Sequence, residues 1–556
     1  MATKSAVLLG LLTVLCVVAQ AHAAKSTAHA AKSTVCTITV NSADEKQTFR
    51  RYLPEDKYQF VELVERGRPD WLASACRQHV KCDVLIISGH FNGTEFFSEH
   101  LDSNEFLPVA EMERASCSNS CPGLFSQLKE VYMFGCNTLN AEAGISASAE
   151  IARTLVRAGR SKADAERVSR ALNARHSESN KDGMRRIFVN VPVVYGFSSV
   201  APVGAVAAGT LSRYFHSASS AEVGSGRPSA RLLSQFSTNG MTATSGMRAS
   251  DPRAGYRQEV CQFVDDRLTP AQTLAFIHQI LGRDMSEVRM FLDRIESFAA
   301  SLTESERQAP TFVRALDDVA NDLPARERFL AFARDSDEPP LRARMIKLAH
   351  KLGWLSVEAE REELLRLAQD LLAGGRISSA DVDLVCSLNR DHALDAELRR
   401  IRPAPGVDDA VPADAILACL GNVAARARVL QALTGANSEA VQIAQVYLQH
   451  RPIADVGELR SVAARVAQMT DPDAQVRALN TLAGLYVSDR ESLDELMRLF
   501  PNARSVSVQR AIAGIFIRAD YKAIDRDELV GVLRQHRLRS IDRDDIIDAL
   551  LRRLQA

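Results

Sequence analysis

Two residues that could act together in nucleophilic catalysis each follow an apolar stretch of this chain. Residues 83–88 lead into Gly89-His90, and residues 131–134 lead into Gly135-Cys136. The carboxyl ends of neighbouring strands in an open α/β sheet form its ligand crevice, so the imidazole and the thiol are expected to meet there. A thiol attacking an acyl group, with imidazole as acid and base, is the chemistry this pair predicts. His90 and Cys136 are therefore the candidate catalytic residues.

Glycines stand next to both candidates. Gly135 directly precedes Cys136, and Gly93 follows His90 by three residues. Residues without a side chain let a substrate backbone approach closely, and backbone N–H groups around Gly93 and Cys136 are suited to hold a developing oxyanion. We therefore expect Gly93 and Gly135 to contribute to an oxyanion or substrate-binding region.

The elements around these residues predict an α/β domain. Short β-rich runs at 36–40, 59–64, 83–88, 131–134 and 187–194 alternate with helical segments. This alternation is typical of a mainly parallel sheet covered by helices. The residues between the third and fourth runs are expected to form a hairpin and loop beside the sheet.

The His and Cys segments resemble those of the caspase-like cysteine peptidases, which include caspases, legumains, gingipains and the bacterial CHAT proteases. His90 and Cys136 are 46 residues apart, close to the ~50 of caspases. The segment Phe134-Gly135-Cys136-Asn137-Thr138 looks like the CHAT cysteine segment. The resemblance covers residues 35–250 and implies a three-layer α/β/α sandwich and a cysteine endopeptidase that acts on proteins or peptides.

Residues 193–199 resemble the strand and loop that help form the specificity pocket in this family. The resemblance implies that Ser198 and Ser199 contact substrate. One position departs from the family pattern, because Phe91 stands where a glycine usually follows the catalytic His. This departure leaves open a second function, that of a catalytically inactive relative acting as a protein-binding scaffold.

The second half of the chain predicts helices throughout. Beyond Tyr256, apolar residues recur at helical spacing, and Leu482-Ala483-Gly484-Leu485 has a counterpart in Ile512-Ala513-Gly514-Ile515. Such recurrence favours a HEAT-like solenoid at 256–556 that recognises protein partners, with an irregular helical bundle as the alternative. Residues 35–215 are expected to be the caspase-like domain, and 216–255, rich in Ser and Gly, a linker or loop.

The N-terminus predicts export. Lys4, an apolar run and Ala21-His22-Ala23 form the pattern of a signal peptide at 1–23, followed by a low-complexity repeat at 24–34. No later stretch is long and apolar enough to predict a membrane anchor. The expected location is periplasmic or secreted.

Nine cysteines remain after the signal peptide, so at least one thiol is unpaired within the monomer. Cys117 and Cys121 are expected to be oxidised, either with each other or with Cys36, Cys76 or Cys82. A zinc site at Cys117 and Cys121 lacks a second ligand pair. Cys386 and Cys419 are expected to be buried core thiols.

Composition restricts the remaining classes of function. The chain has 68 basic and 69 acidic side chains with no long block of either sign, which disfavours nucleic acid as a partner. Neither a Gly-x-Ser-x-Gly elbow nor a phosphate-binding glycine loop occurs, so serine hydrolases and nucleotide-dependent enzymes lack support. No metal and no cofactor is predicted.

Overall fold

The computed structural model describes residues 32–63, 72, 76–98, 106–118, 121–142, 148–176, 179–218, 220–374, 377–395, 411–484, 486–520, 523–539 and 545–555. The predicted signal peptide and residues 24–31 of the repeat segment lie outside these ranges. The chain divides into two compact units. An α/β unit comprises the residues up to Gly144 and Glu178–Arg257, and a helical unit comprises Ile145–Ser177 and Gln258–Ala556.

Nine strands occur in the described part of the α/β unit. In chain order they are β1 (Ser33–Thr39), β2 (Tyr58–Glu62), β3 (Val84–Ser88), β4 (His90–Phe91), β5 (Glu95–Phe97), β6 (Phe106–Pro108), β7 (Glu130–Phe134), β8 (Val193–Phe197) and β9 (Met241–Thr244). Six of them form a sheet in the order β2-β1-β3-β7-β8-β9, in which only the β8–β9 pair is antiparallel. Strands β4, β5 and β6 form a separate antiparallel sheet, where the sequence predicts a hairpin and loop.

The central strand β3 is buried on both faces, as its continuous apolar sequence predicts. Successive side chains of a strand point to opposite faces. Accordingly, Leu85 and Ile87 belong to one apolar cluster, and Val84 and Ile86 belong to another. The helices of this unit are Asp44–Tyr52, Val109–Ser118, Pro122–Phe125, Asn180–Ile187, Gly204–Ser217 and Ala230–Gln235, with Ala254–Val264 spanning the boundary between the units.

The fifth predicted strand, at 187–194, is displaced in the structure. Ile187 ends a helix, Asn190 adopts a positive φ of 60°, and the strand begins only at Val193. Phe188 and Val191 are fully buried although they lie in the turn. Their burial makes the turn as apolar as the strand, which is why the run reads as one continuous strand.

The expected linker at 216–255 is instead an integral part of the α/β unit. Its strand β9 pairs with β8 along the edge of the sheet. Nearer its start, the N–H groups of Gly224 and Gly226 each donate to the buried Glu130 carboxylate at 2.9 Å, and the Tyr132 hydroxyl donates to it at 2.6 Å. The glycines adopt positive φ values of 78° and 69°. These glycines therefore supply the positive φ values of a defined turn and do not make the segment flexible.

The helical unit takes up two helices that interrupt the α/β sequence. Ser148–Arg157 and Lys162–His176 lie between β7 and β8 in the chain but belong to this unit. The predicted domains, 35–215 and 256–556, do not account for these two helices, which lie within the first range but belong to the helical unit. The remaining helices are Pro270–Leu281, Met285–Ser301, Glu304–Arg307, Pro310–Ala320, Leu323–Asp335, Pro339–Lys351, Val357–Ala373, Ser379–Leu388, Val411–Cys419, Val423–Ala432, Ser438–His450, Val456–Gln468, Pro472–Ala483, Arg490–Asn502, Val506–Phe516, Arg526–His536 and Ile546–Gln555.

Helices near the C-terminus pack in alternation. Pro472–Ala483 packs on Val506–Phe516, which in turn packs on Ile546–Gln555. Val456–Gln468 packs in the same way on Arg490–Asn502. Local sequence fixes where such helices start, because the Asp471 carboxylate accepts hydrogen bonds from the N–H groups of Asp473 and Ala474. Among the described residues, no helix combines the length and apolarity needed to cross a bilayer.

Disulfides involve eight of the nine cysteines that follow the signal peptide. Three pairs are Cys36–Cys82, Cys76–Cys121 and Cys386–Cys419, and Cys117 and Cys261 are disulfide-bonded as well. The oxidation of Cys117 and Cys121 is confirmed, with Cys76 as the partner of Cys121. The expectation of free core thiols at Cys386 and Cys419 is wrong. Their helices pack together and bring the two Cα atoms to 4.8 Å, within disulfide range.

Candidate active site

The strands that lead into His90 and Cys136 are adjacent and parallel. Ser88, the last residue of β3, is in register with Phe134, the last residue of β7. His90 and Cys136 each stand two residues beyond this pair. Both candidates therefore leave the same edge of the sheet from neighbouring strands, as the sequence predicts.

The two backbone segments approach each other closely at Gly89 and Gly135, one residue before each candidate. A Cβ atom added to Gly135 would lie 3.0 Å from the Gly89 carbonyl oxygen and 2.8 Å from Cβ of Phe91. Only glycine fits at Gly135, because real Cβ atoms do not pack this closely. The predicted role of Gly135 in substrate binding is thus accompanied by a structural one.

Phe91, the residue that departs from the family pattern, has its side chain in the core. It is 6% exposed and packs on Phe96, with ring centroids 4.8 Å apart. The aromatic ring therefore belongs to the apolar core and is almost closed to solvent. This arrangement explains how a large residue is accommodated directly after His90.

The His90 side chain is half-buried at the start of the small antiparallel sheet. His90 pairs with Phe97 across β4 and β5, and the two rings lie 5.5 Å apart between centroids. The aromatic ring limits the orientations open to the imidazole. A base whose orientation is already restricted has less conformational entropy to lose on reaching the geometry for proton transfer.

Gly93 occupies the tight turn that joins β4 to β5. Its φ of 102° is a conformation that other residues rarely adopt. The Asn92 side-chain oxygen accepts hydrogen bonds from the N–H groups of Thr94 and Glu95 and so closes the turn. Within the described part of the chain, the N–H of Gly93 donates to no protein acceptor, which leaves it available to an oxyanion.

The loop after β7 turns sharply at Asn137, whose φ is 58°. The Asn137 N–H donates to the Ser199 carbonyl at 2.8 Å, so it is not available as an oxyanion donor. The Thr138 hydroxyl donates to the Gly135 carbonyl and accepts from the Phe197 N–H, each at 3.1 Å. Cys136 itself is half-exposed, and its N–H makes no hydrogen bond to the described residues.

Ser198 and Ser199 lie at the same edge of the sheet, directly after β8, and both are exposed. Each hydroxyl holds the turn before β9. Ser198 Oγ donates to the Gly240 carbonyl and Ser199 Oγ to the Asn239 carbonyl, both at 3.0 Å. Their hydroxyl protons are therefore committed within the protein, and any substrate contact would use their remaining acceptor capacity.

Asn180 lies near both candidate loops, and sequence reasoning missed it. Its side-chain N–H donates to the Asn137 carbonyl at 2.9 Å. Its side-chain oxygen lies 3.6 Å from the position of a Cβ on Gly93. Asn180 begins a helix far along the chain from both loops, so no local sequence pattern distinguishes it.

A buried acid lies beside Ser88, the last residue of β3. Glu45, in the first turn of the helix Asp44–Tyr52, is 3% exposed. Burial raises the pKa of this carboxyl to about 7, and the neighbouring hydroxyls of Ser88 and Ser42 offset the rise only in part. With a pKa of about 7, the Glu45 carboxyl changes its protonation within the pH range in which imidazole groups typically titrate.

No cluster of three or more His, Cys, Asp or Glu side chains suited to a metal ion occurs among the described residues. No protein-family model matches this chain, and no curated protein matches it in sequence. The geometry of the site is that of a half-exposed free thiol and a half-buried imidazole, each two residues beyond the end of one of two adjacent strands.

Replacing Gly135 by Ala tests the close approach of the strands. The added methyl group meets Phe91 and the Gly89 carbonyl, and such overpacking costs about 1–3 kcal/mol. We expect peptides from β3 and β7 to exchange their amide hydrogens faster, as hydrogen-exchange mass spectrometry of the full chain measures. Gly209→Ala is the control, because no atom lies within 4 Å of its added Cβ. Equal exchange in both variants would contradict the packing argument.

Glu45 predicts a pH-dependent term in stability. Its pKa is raised from 4.5 in the unfolded chain to about 7 in the folded protein. The unfolding free energy is therefore highest below pH 4.5, where the carboxyl is protonated in both states, and decreases as the pH rises to about 7. Relative to Glu45→Gln, wild type should lose about 3 kcal/mol of unfolding free energy between pH 4 and pH 8. Denaturant unfolding at the two pH values measures this difference. The exposed Glu55→Gln should behave as wild type, and a parallel pH dependence for Glu45→Gln would refute the assignment.

Proposed function

We propose that this protein is an exported cysteine endopeptidase of the caspase-like type, with His90 as general base and Cys136 as nucleophile. The observation that carries the proposal is the placement of the free thiol. Eight of nine cysteines are in disulfides, and the ninth, Cys136, follows the strand adjacent to the one that leads into His90. The one cysteine that is not in a disulfide is thus the one that lies next to the strand leading into His90.

The proposed reaction begins with transfer of the Cys136 thiol proton to the His90 imidazole. The thiolate sulfur then attacks the carbonyl carbon of the scissile peptide bond, and the carbonyl oxygen becomes an oxyanion. The N–H groups of Gly93 and Cys136 are the donors proposed to receive it, because both are unused by protein acceptors in the described chain.

Collapse of the tetrahedral intermediate breaks the carbon–nitrogen bond. The protonated His90 gives its proton to the leaving amine, and the new carboxyl-terminal end stays on Cys136 as a thioester. His90 next removes a proton from a water molecule that attacks the thioester carbonyl. This step releases the acid and returns the thiol.

The six-stranded, mostly parallel sheet with helices is compatible with the caspase-like fold and supports the proposal at that level. The alternating packing of the C-terminal helices supports a HEAT-like solenoid, and we propose that it recognises protein substrates or partners. Four disulfides are consistent with an oxidising compartment such as the periplasm or the extracellular space.

The second candidate is a catalytically inactive relative that binds proteins through its helical unit. It is favoured by Phe91, which replaces the glycine usual after the catalytic His. The core position of the Phe91 ring reduces the weight of this departure, because a ring buried against Phe96 is not exposed where a substrate would bind. Catalysis remains the primary proposal.

Incubation of the mature protein with a mixed peptide library tests the dyad. We expect cleavage by wild type and its loss, by at least about 100-fold, in Cys136→Ala and His90→Asn, because each removes a group needed for proton transfer or attack. Mass spectrometry of the products gives the measurement. His216→Asn is the matched control, an exposed histidine of the same unit, and should cleave as wild type does. Cleavage that survives Cys136→Ala would end the peptidase proposal, and a folded but inert wild type would favour the scaffold.

A further inference from the structure

The helical unit contains a cavity that the proposed peptidase chemistry does not use. Its volume is about 280 Å³, near the lower end of the ~300–1,000 Å³ typical of small-molecule sites. The helices Pro270–Leu281, Met285–Ser301, Pro310–Ala320 and Pro339–Lys351 supply most of its walls. All of them belong to the helical unit.

The cavity is apolar inside. Leu274, Ile277 and Ile295 form its buried part, at 2%, 0% and 0% exposure. Phe298 and Leu316 line it as well and are only half-buried. Apolar side chains left partly open to solvent around a cavity gain free energy when an apolar group covers them.

Its open end is cationic. The three charged or titratable residues among the lining are Arg307, His350 and Lys351, of which Arg307 and Lys351 are exposed. No carboxylate occurs among the described residues that line the cavity. Positive charge at the rim of an apolar chamber fits a ligand with an apolar body and an anionic head.

The two exposed cationic side chains have few contacts within the protein. Arg307 donates one hydrogen bond to the carbonyl of Ala299, which lies on the cavity wall. That contact holds the guanidinium at the rim and leaves further N–H donors. Within the described ranges, neither Arg307 nor Lys351 has a carboxylate partner within 4.0 Å.

The acidic groups nearby are occupied by local contacts. Glu306 accepts from the N–H and hydroxyl of Thr303, and Glu304 accepts from the side chain of Gln308. Glu360 lies 3.8 Å from Nδ1 of His350, which itself donates to the Leu355 carbonyl at 2.9 Å. The other ring nitrogen of His350, Nε2, is then the atom that a ligand at the rim would meet.

We propose that this cavity binds a monocarboxylic acid with an unbranched alkyl chain, its carboxylate between Arg307 and Lys351 and its chain against Ile277, Ile295 and Phe298. The enclosed volume suits one alkyl chain and is too small for the face of a helix, which is about 10 Å across. A neutral lipid would leave the cationic rim unpaired, and a phosphate-rich ligand would not use the apolar walls.

The test is isothermal titration calorimetry of the mature full-length protein with decanoate, and with decan-1-ol as the uncharged probe of equal chain length. We expect one decanoate per chain, with the alcohol bound at least about tenfold more weakly. The double variant Arg307→Gln/Lys351→Gln should weaken decanoate binding by about tenfold or more, because it removes both cationic partners of the carboxylate. Both residues are exposed, so we expect the variant to fold. Arg314→Gln, an exposed arginine on a wall-forming helix but not at the cavity, is the control and should bind as wild type does.

A second variant tests the chamber itself. Ala299→Phe places a ring in the cavity and should abolish decanoate binding while circular dichroism shows the helices unchanged. Absence of decanoate binding to wild type overturns the proposal. Equal binding of acid and alcohol, or unchanged binding by either altered protein, overturns it as well.

Discussion

The close approach of Gly89 and Gly135 is the contact on which the site depends. These residues directly follow two adjacent strands of the sheet. A Cβ on Gly135 would lie 3.0 Å from the Gly89 carbonyl oxygen. Because the two backbone segments meet there, the next residue of each segment, His90 or Cys136, starts from a nearly fixed position. Strand pairing in β3 and β7 sets the direction of both chains up to that point. Preorganisation of the site is therefore a property of the sheet and not of mobile loops.

Beyond this contact, the loops are held by side chains from distant parts of the sequence. Thr138 connects the cysteine loop to β8. Asn180 donates to the same loop, and its side-chain oxygen lies near the turn at Gly93. Asn180 follows closely after residues 145–177, which belong to the helical unit. Cutting the chain near residue 255 would therefore leave the helices between β7 and β8 without the helices they pack against.

The part of the fold that the sequence predicts is the part governed by local patterns. Continuous apolar runs identify β3 and β7, because strands buried on both faces have no polar side. The edge strand β9 has only four residues, of which Met241 alone is buried, so it carries no such pattern. The Ser/Gly-rich stretch before it was predicted to be a linker because composition does not show that Gly224 and Gly226 bind the buried Glu130 carboxylate.

The site is predictable to a similar extent. His90, Cys136, Gly93 and Gly135 follow from strand ends and glycines. The partners of the loops, such as Asn180 and Glu45, depend on contacts between distant segments and have no local signal. The odd cysteine count predicts at least one free thiol, but only the pairing of the other eight identifies Cys136 as the free one.

The most direct measurement is the rate of alkylation of Cys136 as a function of pH, in wild type and in His90→Gln. The thiol is the only free one among the nine that follow the signal peptide, so the rate reports on a single group. If His90 and Cys136 form one site, wild type stays reactive well below the ordinary thiol pKa of about 8.5, and the variant moves toward that value. Identical pH profiles for the two proteins would show that the imidazole does not act on the thiol, and the account of the site would be wrong.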